Sequence, residues 1–230
     1  MFSNVFLAVT ALGMEKYHPQ KTAYMALHFS PFGKGLSNFP TDLPKGSILL
    51  LDDSMPPNGH DKQTVVAQLK DLIQSFSPAG LLLDFQRPAA EETELLTKYI
   101  LEQLTCPIGV SQVYAEKFAC TVFLPPPPAN KPLAEHLRPW QKQGIYLEIA
   151  PNALKFTVTP QGSVAVNIPP VEGLSLTDDR IHCHYDVEVT QDQAVFTICR
   201  YIEDLPPLIA EAEQLGVLSC VGLYEELINP

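Results

Sequence analysis

The sequence predicts an α/β fold, a closed (β/α)8 TIM-like barrel forming one domain over residues 1–230, and three observations support this. Several short apolar runs lack the alternation of a half-exposed strand, which is typical of strands buried on both faces of a parallel sheet. Amphipathic helical segments lie between these runs, as in repeated βα units. The buried-strand candidates begin near residues 23, 48, 81, 108, 120, 145, 194 and 217, and eight βα units make such a barrel.

Two of the apolar runs, at 48–52 and 81–84, are nearly the same: each is a row of leucines that ends in an aspartate. The aspartate of each run falls at the C-terminal end of its predicted strand. Ligands of parallel α/β folds bind at that end of the sheet. The repeat therefore predicts both a fold class and a candidate site.

The helices between the strands have recognisable boundaries. Asp61 is a good N-cap for a helix whose apolar residues recur at three and four positions along one face. Glu91 favours the start of the next helix, because negative charge is stabilising near a helix N-terminus. The last helix has prolines at 206–207 in its first turn and Gly216 after its end.

An antiparallel β-hairpin insertion is predicted at about 154–189, between units six and seven. Residues 154–159, 163–167 and 181–189 alternate between apolar and polar side chains, which indicates strands with one face in water. The run that follows, at 194–198, is interpreted as the strand of unit seven. An open, doubly wound sheet is the alternative architecture.

Composition and charge limit the classes of partner. The chain has 46% hydrophobic and 18% charged residues and a net charge of −11. Such a surface repels phosphate backbones and anionic lipids, so neither nucleic acid nor a membrane is an expected partner. Five cysteines without a C-x-x-C pair indicate free thiols, and we expect a cytoplasmic protein. The apolar stretch at 5–9 is short and follows no basic residue, so no signal peptide is expected.

Polar residues follow the predicted strands at their C-terminal ends, where a barrel gathers them into one ring. The candidate catalytic residues are the carboxylates Asp84, Glu148 and Asp52. Glycosidic hydrolysis uses paired carboxylates in one cleft, one protonated as acid and the other ionised. The alternative is that such residues only cap the following helices. The candidate substrate-binding residues are His28, Ser30, Asp53, Gln86, Arg87, Ser111 and Arg200, and Glu225 and Glu226 extend the ring.

The segment Gly80-Leu81-Leu82-Leu83-Asp84-Phe85-Gln86 resembles the fourth-strand motif of chitinase-like glycoside hydrolases of family 18. In that family a run of alternating aspartates ends in Asp-aromatic-Glu on a (β/α)8 barrel. Asp84 and Phe85 match the last aspartate and the aromatic, while Ala79 and Leu82 stand at the earlier aspartates. Tyr185-Asp186 is similar to a later Tyr-Asp pair of the family.

The departure from this motif concerns the acid. Gln86 stands where the family has its acid glutamate, and an amide has no proton of suitable pKa for a leaving group. The resemblance therefore implies either a non-catalytic sugar binder or an enzyme that uses another acid, such as Glu148 or Asp52.

Two functions of other classes remain open. A non-catalytic barrel would bind a partner protein through its acidic mouth or its hairpins, whose free edges also predict a homodimer. A metal-dependent hydrolase would use His182 and His184, which share one face of a strand with Asp186. The simpler interpretation of that pattern is a half-exposed strand without a metal. No cofactor is predicted, because no glycine-rich phosphate loop is present.

Overall fold

Strands and helices alternate along most of the chain in the computed structural model, which describes residues 2, 4–57 and 59–228. Single turns of 3-10 helix lie at Arg138–Trp140 and Ile202–Asp204. In chain order the other elements are β1 (Val5–Val9), α1 (Ala11–Lys16), β2 (Thr22–Phe29), β3 (Leu36–Ser37), β4 (Ile48–Asp52), α2 (Lys62–Phe76), β5 (Gly80–Asp84), α3 (Glu91–Gln103), β6 (Ile108–Ser111), α4 (Gln112–Phe118), β7 (Val122–Leu124), α5 (Leu133–Leu137), β8 (Ile145–Glu148), β9 (Asn152–Thr159), β10 (Gly162–Ile168), β11 (Leu176–Asp178), β12 (Cys183–Val189), β13 (Ala194–Arg200), α6 (Leu205–Gln214), β14 (Ser219–Leu223) and α7 (Tyr224–Ile228).

Parallel strands close into a barrel, with the order β1-β2-β4-β5-β6-β7-β8-β14. The ring closes because β1 pairs in parallel with both β2 and β14. The short strand β3 pairs antiparallel with the end of β2, outside the ring. The (β/α)8 fold class is therefore confirmed, and the open-sheet alternative is wrong.

Two strands differ from the sequence prediction in their position within the fold. The first barrel strand is β1, whereas the first predicted strand begins near residue 23. The run at 194–198 belongs to β13, which pairs antiparallel with β9 and β12 and lies outside the barrel. The insertion consequently lies between the seventh and eighth barrel strands, β8 and β14, and extends over β9–β13. Counting β1 also makes β5 the fourth barrel strand, the position of the family 18 motif.

The barrel interior is filled by side chains from alternate positions of the strands, as period-2 geometry requires. Its central apolar residues are Phe6, Ala8, Ala23, Ile48, Leu50, Leu82, Phe123, Tyr146 and Val221. The Tyr146 ring crosses this space above a glycine. A Cβ atom at Gly109 would lie 2.7 Å from Leu82 Cδ2 and 2.8 Å from Tyr146 Cδ2, so only glycine leaves room for the ring.

The helices cover the outside of the barrel and bury their apolar faces against the strands. The predicted cap of α2 is confirmed, because Asp61 Oδ2 accepts a hydrogen bond from Thr64 N at 3.0 Å. The helix then buries Val65, Val66, Leu69 and Leu72. Within the described ranges, no helix is long and apolar enough to cross a membrane.

The insertion is a five-stranded antiparallel sheet with the order β10-β9-β13-β12-β11. Histidine–carboxylate contacts connect β12 and the residue before it to α6 and the turn that precedes it: His182 Nε2 lies 2.8 Å from Glu211 Oε2, and His184 Nε2 lies 3.3 Å from Asp204 Oδ1. The sheet is therefore joined to the barrel at one end. Its far strand β10 is exposed over most of its length.

Candidate functional site

The barrel interior becomes polar at the C-terminal ends of four strands. Asp52, Asp84, Ser111 and Glu148 each lie two residues beyond an inward position, at 50, 82, 109 and 146. Since side chains at i and i+2 of a strand share a face, these polar groups continue the interior column upward into the mouth. Paired register supports this, because Asp52 lies beside Asp84 and Leu50 beside Leu82.

Asp84 and Gln86 form a hydrogen-bonded pair at the end of β5. The amide nitrogen Nε2 of Gln86 donates to both carboxylate oxygens of Asp84, at 3.1 and 3.2 Å. Burial raises the pKa of Asp84, the amide hydrogen bond lowers it, and the nearby charges of Asp52 and Asp53 raise it further. Asp84 is thus a half-buried carboxyl whose partner is neutral.

Glu148 is the most perturbed carboxyl of the mouth. Burial raises the pKa of Glu148 to about 7, with smaller contributions from the negative charges of Asp84 and Glu226. A carboxyl with this pKa exchanges its proton near neutral pH, as a general acid requires. The charges that act on it show that Asp84 and Glu226 lie in its surroundings.

A buried aspartate holds the loop that follows β5. Asp53 Oδ1 accepts from Gln86 N at 2.9 Å, and Asp53 Oδ2 accepts from Arg87 N at 3.1 Å. The guanidinium of Arg87 returns to the β4 loop, with Nε donating to Asp53 O and a terminal nitrogen donating to Ser54 O, both at 2.7 Å. Asp53 and Arg87 therefore fix the backbone that carries Gln86.

His28 lies beside Asp52 in the register of β2 and β4. Its Nδ1 donates to Phe29 O at 2.7 Å, and its Nε2 accepts from the Asn38 amide at 3.0 Å, so both ring nitrogens have partners in the protein. Asp52 Oδ1 accepts from Ser54 N at 2.8 Å, which leaves its other oxygen for the groove.

The two predicted serines stabilise loops. Ser111 is buried, and its hydroxyl donates to Phe85 O at 2.7 Å. The hydroxyl oxygen of Ser30 accepts a hydrogen bond from Phe32 N at 3.3 Å, and the carbonyl oxygen of Ser30 lies 3.0 Å from His60 Nε2. Both residues shape the backbone of the mouth.

The predicted placement of Arg200 at the end of a barrel strand is wrong, because β13 belongs to the insertion. Its side chain is almost fully buried. The guanidinium donates to the carbonyls of Pro127, Ile181 and His182, at 2.6, 2.8 and 3.2 Å. Arg200 thus ties the insertion to the proline loop after β7.

One cleft of about 690 Å³ lies at the ends of β5 to β8, and the predicted site residues that line it are Asp84, Gln86, Arg87, Ser111 and Glu148. Its lining includes three polar side chains, Asp84, Gln86 and Glu148, and three apolar ones, Phe123, Pro125 and Pro126. A smaller groove of about 410 Å³ shares Asp84, Gln86 and Arg87 with the cleft and reaches Asp52. The volume of the cleft suits a small-molecule site. Phe123 did not figure among the predicted site residues, although its position, two residues before Pro125 on an inward-facing period, could have indicated it.

His182 and His184 are not arranged with Asp186 as the ligands of one metal ion. The two histidines pair with different carboxylates, Glu211 and Asp204. Asp186 instead accepts hydrogen bonds from the backbone and hydroxyl of Ser175, at 3.0 and 2.6 Å. Among the residues that the structure describes, no three histidine, cysteine or acidic side chains form a group that could hold a metal ion.

Comparison with known proteins supports the fold. No protein-family model matches the chain, and no curated protein matches it. A spore cortex-lytic enzyme, SleL, of Bacillus cereus matches with a TM-score of 0.56 and 10% identity, over 99% of this chain and 71% of that one. A family 18 N-acetylglucosaminidase of Paenibacillus barengoltzii has a TM-score of 0.54 and 10% identity, over 97% of this chain and 98% of that one.

A family 18 chitinase variant from Cycas revoluta, in complex with (GlcNAc)4, also matches with a TM-score of 0.54 and 10% identity, over 94% of this chain and 93% of that one. At this level of identity the likeness concerns the fold alone. The chain therefore shares the (β/α)8 barrel fold of these solved structures. The predicted resemblance to the family 18 chitinase-like barrel is thereby confirmed in the structure.

Proposed function

We propose that the cleft binds a carbohydrate, with Asp84, Gln86 and Glu148 as its polar contacts. The observation that carries this proposal is the Gln86 amide held on the Asp84 carboxylate, at the fourth-strand position of the resembled motif. The amide keeps the geometry of a sugar contact but supplies no proton. This favours recognition of the sugar over its hydrolysis.

The lining of the cleft matches the chemistry of a sugar ring. Sugar hydroxyls donate hydrogen bonds, and the carboxyl groups and the Gln86 amide oxygen accept them. Sugar rings also have apolar C–H faces, and Pro125 and Pro126 add apolar lining to the same cleft. The volume of about 690 Å³ admits more than a single small solute.

The other predicted site residues either contact the ligand or hold the loops that surround it in this proposal. Asp52 contacts the ligand from the adjoining groove through its free oxygen. Asp53, Arg87 and Ser111 position the loops of Gln86 and Phe85, since their hydrogen bonds go to backbone groups. His28 and Ser30 support the rim beside Asp52.

The test is equilibrium binding of N-acetylglucosamine tetramers and cellotetraose, measured by calorimetry on the full chain. Asp84→Ala removes a carboxylate contact and should weaken sugar binding at least about tenfold. Asp71→Asn, on the exposed face of α2, is the matched control and should bind as the unaltered protein does. Absence of binding to any sugar, or equal binding by Asp84→Ala, would overturn the proposal.

A second candidate function is glycoside hydrolysis with Glu148 as the acid. The observation in its favour is the pKa of Glu148 near 7, beside the second carboxyl Asp84 in one cleft. Reducing-end release from the same oligosaccharides tests it. Glu148→Gln and Asp84→Asn should each abolish release while leaving the fold intact. Release by the Glu148→Gln variant at an unaltered rate excludes Glu148 as acid.

Three further expectations stay predictions. One is a single domain over residues 1–230. Another is a cytoplasmic location, which is consistent with the five cysteines, all of which are free thiols. A homodimer is favoured by β10, an uncharged edge strand with exposed Val164 and Val166. Sedimentation equilibrium of the purified chain measures the oligomeric state directly.

A further inference from the structure

The mouth of the barrel has far more acidic than basic side chains. The cleft, its adjoining groove and a groove of about 600 Å³ toward the insertion together place carboxylates at the ends of β4, β5 and β8 and in the first turn of α7. Among the residues that the structure describes, the arginines lining the same surfaces are Arg87 and Arg200. The acidic lining residues are Asp52, Asp53, Asp84, Glu148, Glu203, Glu225 and Glu226.

Neither arginine neutralises these carboxylates through a side-chain ion pair. Arg87 donates from its guanidinium to the backbone carbonyls of Asp53 and Ser54. Arg200 is buried and donates to three carbonyls around Pro127 and the start of β12. Across residues 2, 4–57 and 59–228, the ion pairs join other residues and leave out every carboxylate of the mouth.

The carboxylates also act on one another across the opening. Asp84 feels the charges of Asp52 and Asp53, and Glu148 feels those of Asp84 and Glu226. Glu226 itself is exposed and lines both the groove toward the insertion and a cavity beside β1 and β14. A negative potential therefore extends from the ends of β4 and β5 to the end of β14, and partial burial strengthens it.

We propose that the cleft prefers an oligosaccharide of amino sugars with free, protonated amines over its N-acetylated counterpart, and that it excludes anionic sugars. The inference rests on the proposed carbohydrate site, whose location the cleft defines; the carboxylates determine which sugar enters. A sugar ammonium beside Asp84 or Glu226 gains a charge-assisted hydrogen bond that an acetamide does not make. A uronic acid meets the like charge of these carboxylates at the opening.

The experiment compares glucosamine tetramers, N-acetylglucosamine tetramers and galacturonic acid tetramers by calorimetry at about pH 6.5. Each titration is repeated at about 50 mM and about 500 mM salt, because screening weakens an exposed charge contact. The glucosamine tetramer should bind about tenfold more tightly than the N-acetylated tetramer at low salt, and most of that advantage should disappear at high salt. The uronic acid tetramer should not bind.

Two matched variants identify the source of the preference. Glu226→Gln should reduce the ratio of the glucosamine-tetramer affinity to the N-acetylglucosamine-tetramer affinity about threefold. Glu188→Gln, exposed on β12 of the insertion, makes the same change away from the mouth and should have no effect. Equal or tighter binding of the N-acetylated tetramer overturns this inference and leaves the carbohydrate site standing. Failure of all three sugars, with cellotetraose also unbound, overturns both.

Discussion

Replacing Glu148 by glutamine should raise the free energy of unfolding above neutral pH and flatten its dependence on pH. Burial and the charges of Asp84 and Glu226 raise the pKa of Glu148 from its ordinary 4.5 to about 7. Between these two values the folded chain holds a proton on Glu148 that the unfolded chain has released. Stability therefore falls as the pH rises through this window. The contribution is fully present below pH 4.5 and is lost as the pH passes about 7.

The magnitude follows from the shift. At about 1.4 kcal/mol per pKa unit, the displacement of the Glu148 pKa corresponds to about 3 kcal/mol. Partial contact of the carboxyl with solvent reduces the expected loss to about 2–3 kcal/mol. Glutamine has nearly the same shape and does not ionise, so the variant should not undergo this loss.

Urea unfolding followed by circular dichroism at about pH 5, 6, 7 and 8 measures the effect. The unaltered chain should lose about 2–3 kcal/mol more than Glu148→Gln across this range, and Glu188→Gln should follow the unaltered chain. An NMR titration of the Glu148 carboxyl carbon should give a midpoint near 7. Parallel pH profiles for the two proteins, or a midpoint near 4.5, would refute the reasoning.

Three further substitutions test the packing that supports the mouth. Gly109→Ala should destabilise the chain by about 1–3 kcal/mol in urea unfolding, since its methyl group meets the Tyr146 ring, and Tyr146→Leu in the same chain should recover part of the loss. Arg200→Met should cost about 3 kcal/mol or more in the same assay, because it leaves the Pro127 carbonyl and two others without their charged donor; a cost under about 1 kcal/mol contradicts the role. Asp53→Ala should cost about 1–3 kcal/mol and speed proteolysis of the β5–α3 loop, while unchanged proteolysis would contradict its role as the tie of that loop.

The candidate site could be predicted because unbroken apolar runs, and the residues that end them, have a defined place in a parallel barrel. Unbroken apolar runs predict strands buried on both faces, and the residue that ends such a run lies at the mouth of a barrel. Asp52 and Asp84 follow equal runs, so their adjacency in the register of β4 and β5 is already contained in the repeat. The fold class followed from the number of runs and the helices between them.

Two strands could not be assigned from their local sequence pattern, because the pattern does not show whether a strand belongs to the barrel or lies outside it. Val5–Val9 is a short apolar segment whose role as the closing strand depends on pairing with β14, more than two hundred residues away in sequence. The segment Ala194–Arg200 is a strand in either interpretation, and only its antiparallel partners decide that it belongs to the insertion. One strand was therefore missing and one was extra, and the total was right.

By itself the sequence determined the class of the fold, the strands that carry Asp52, Asp84 and Glu148, and the presence of Gln86 where the resembled motif has its acid. The tertiary structure decided what each polar side chain does. Asp53 and Arg200 have the residue types of ligand contacts, yet their atoms bind backbone groups of segments distant in sequence. Nothing in the sequence around Glu148 indicates its raised pKa, because that pKa depends on burial and on the charges of Asp84 in β5 and Glu226 in α7. Hydrogen-bond partners and electrostatic surroundings are long-range properties, so they exist only once the chain has closed into its barrel.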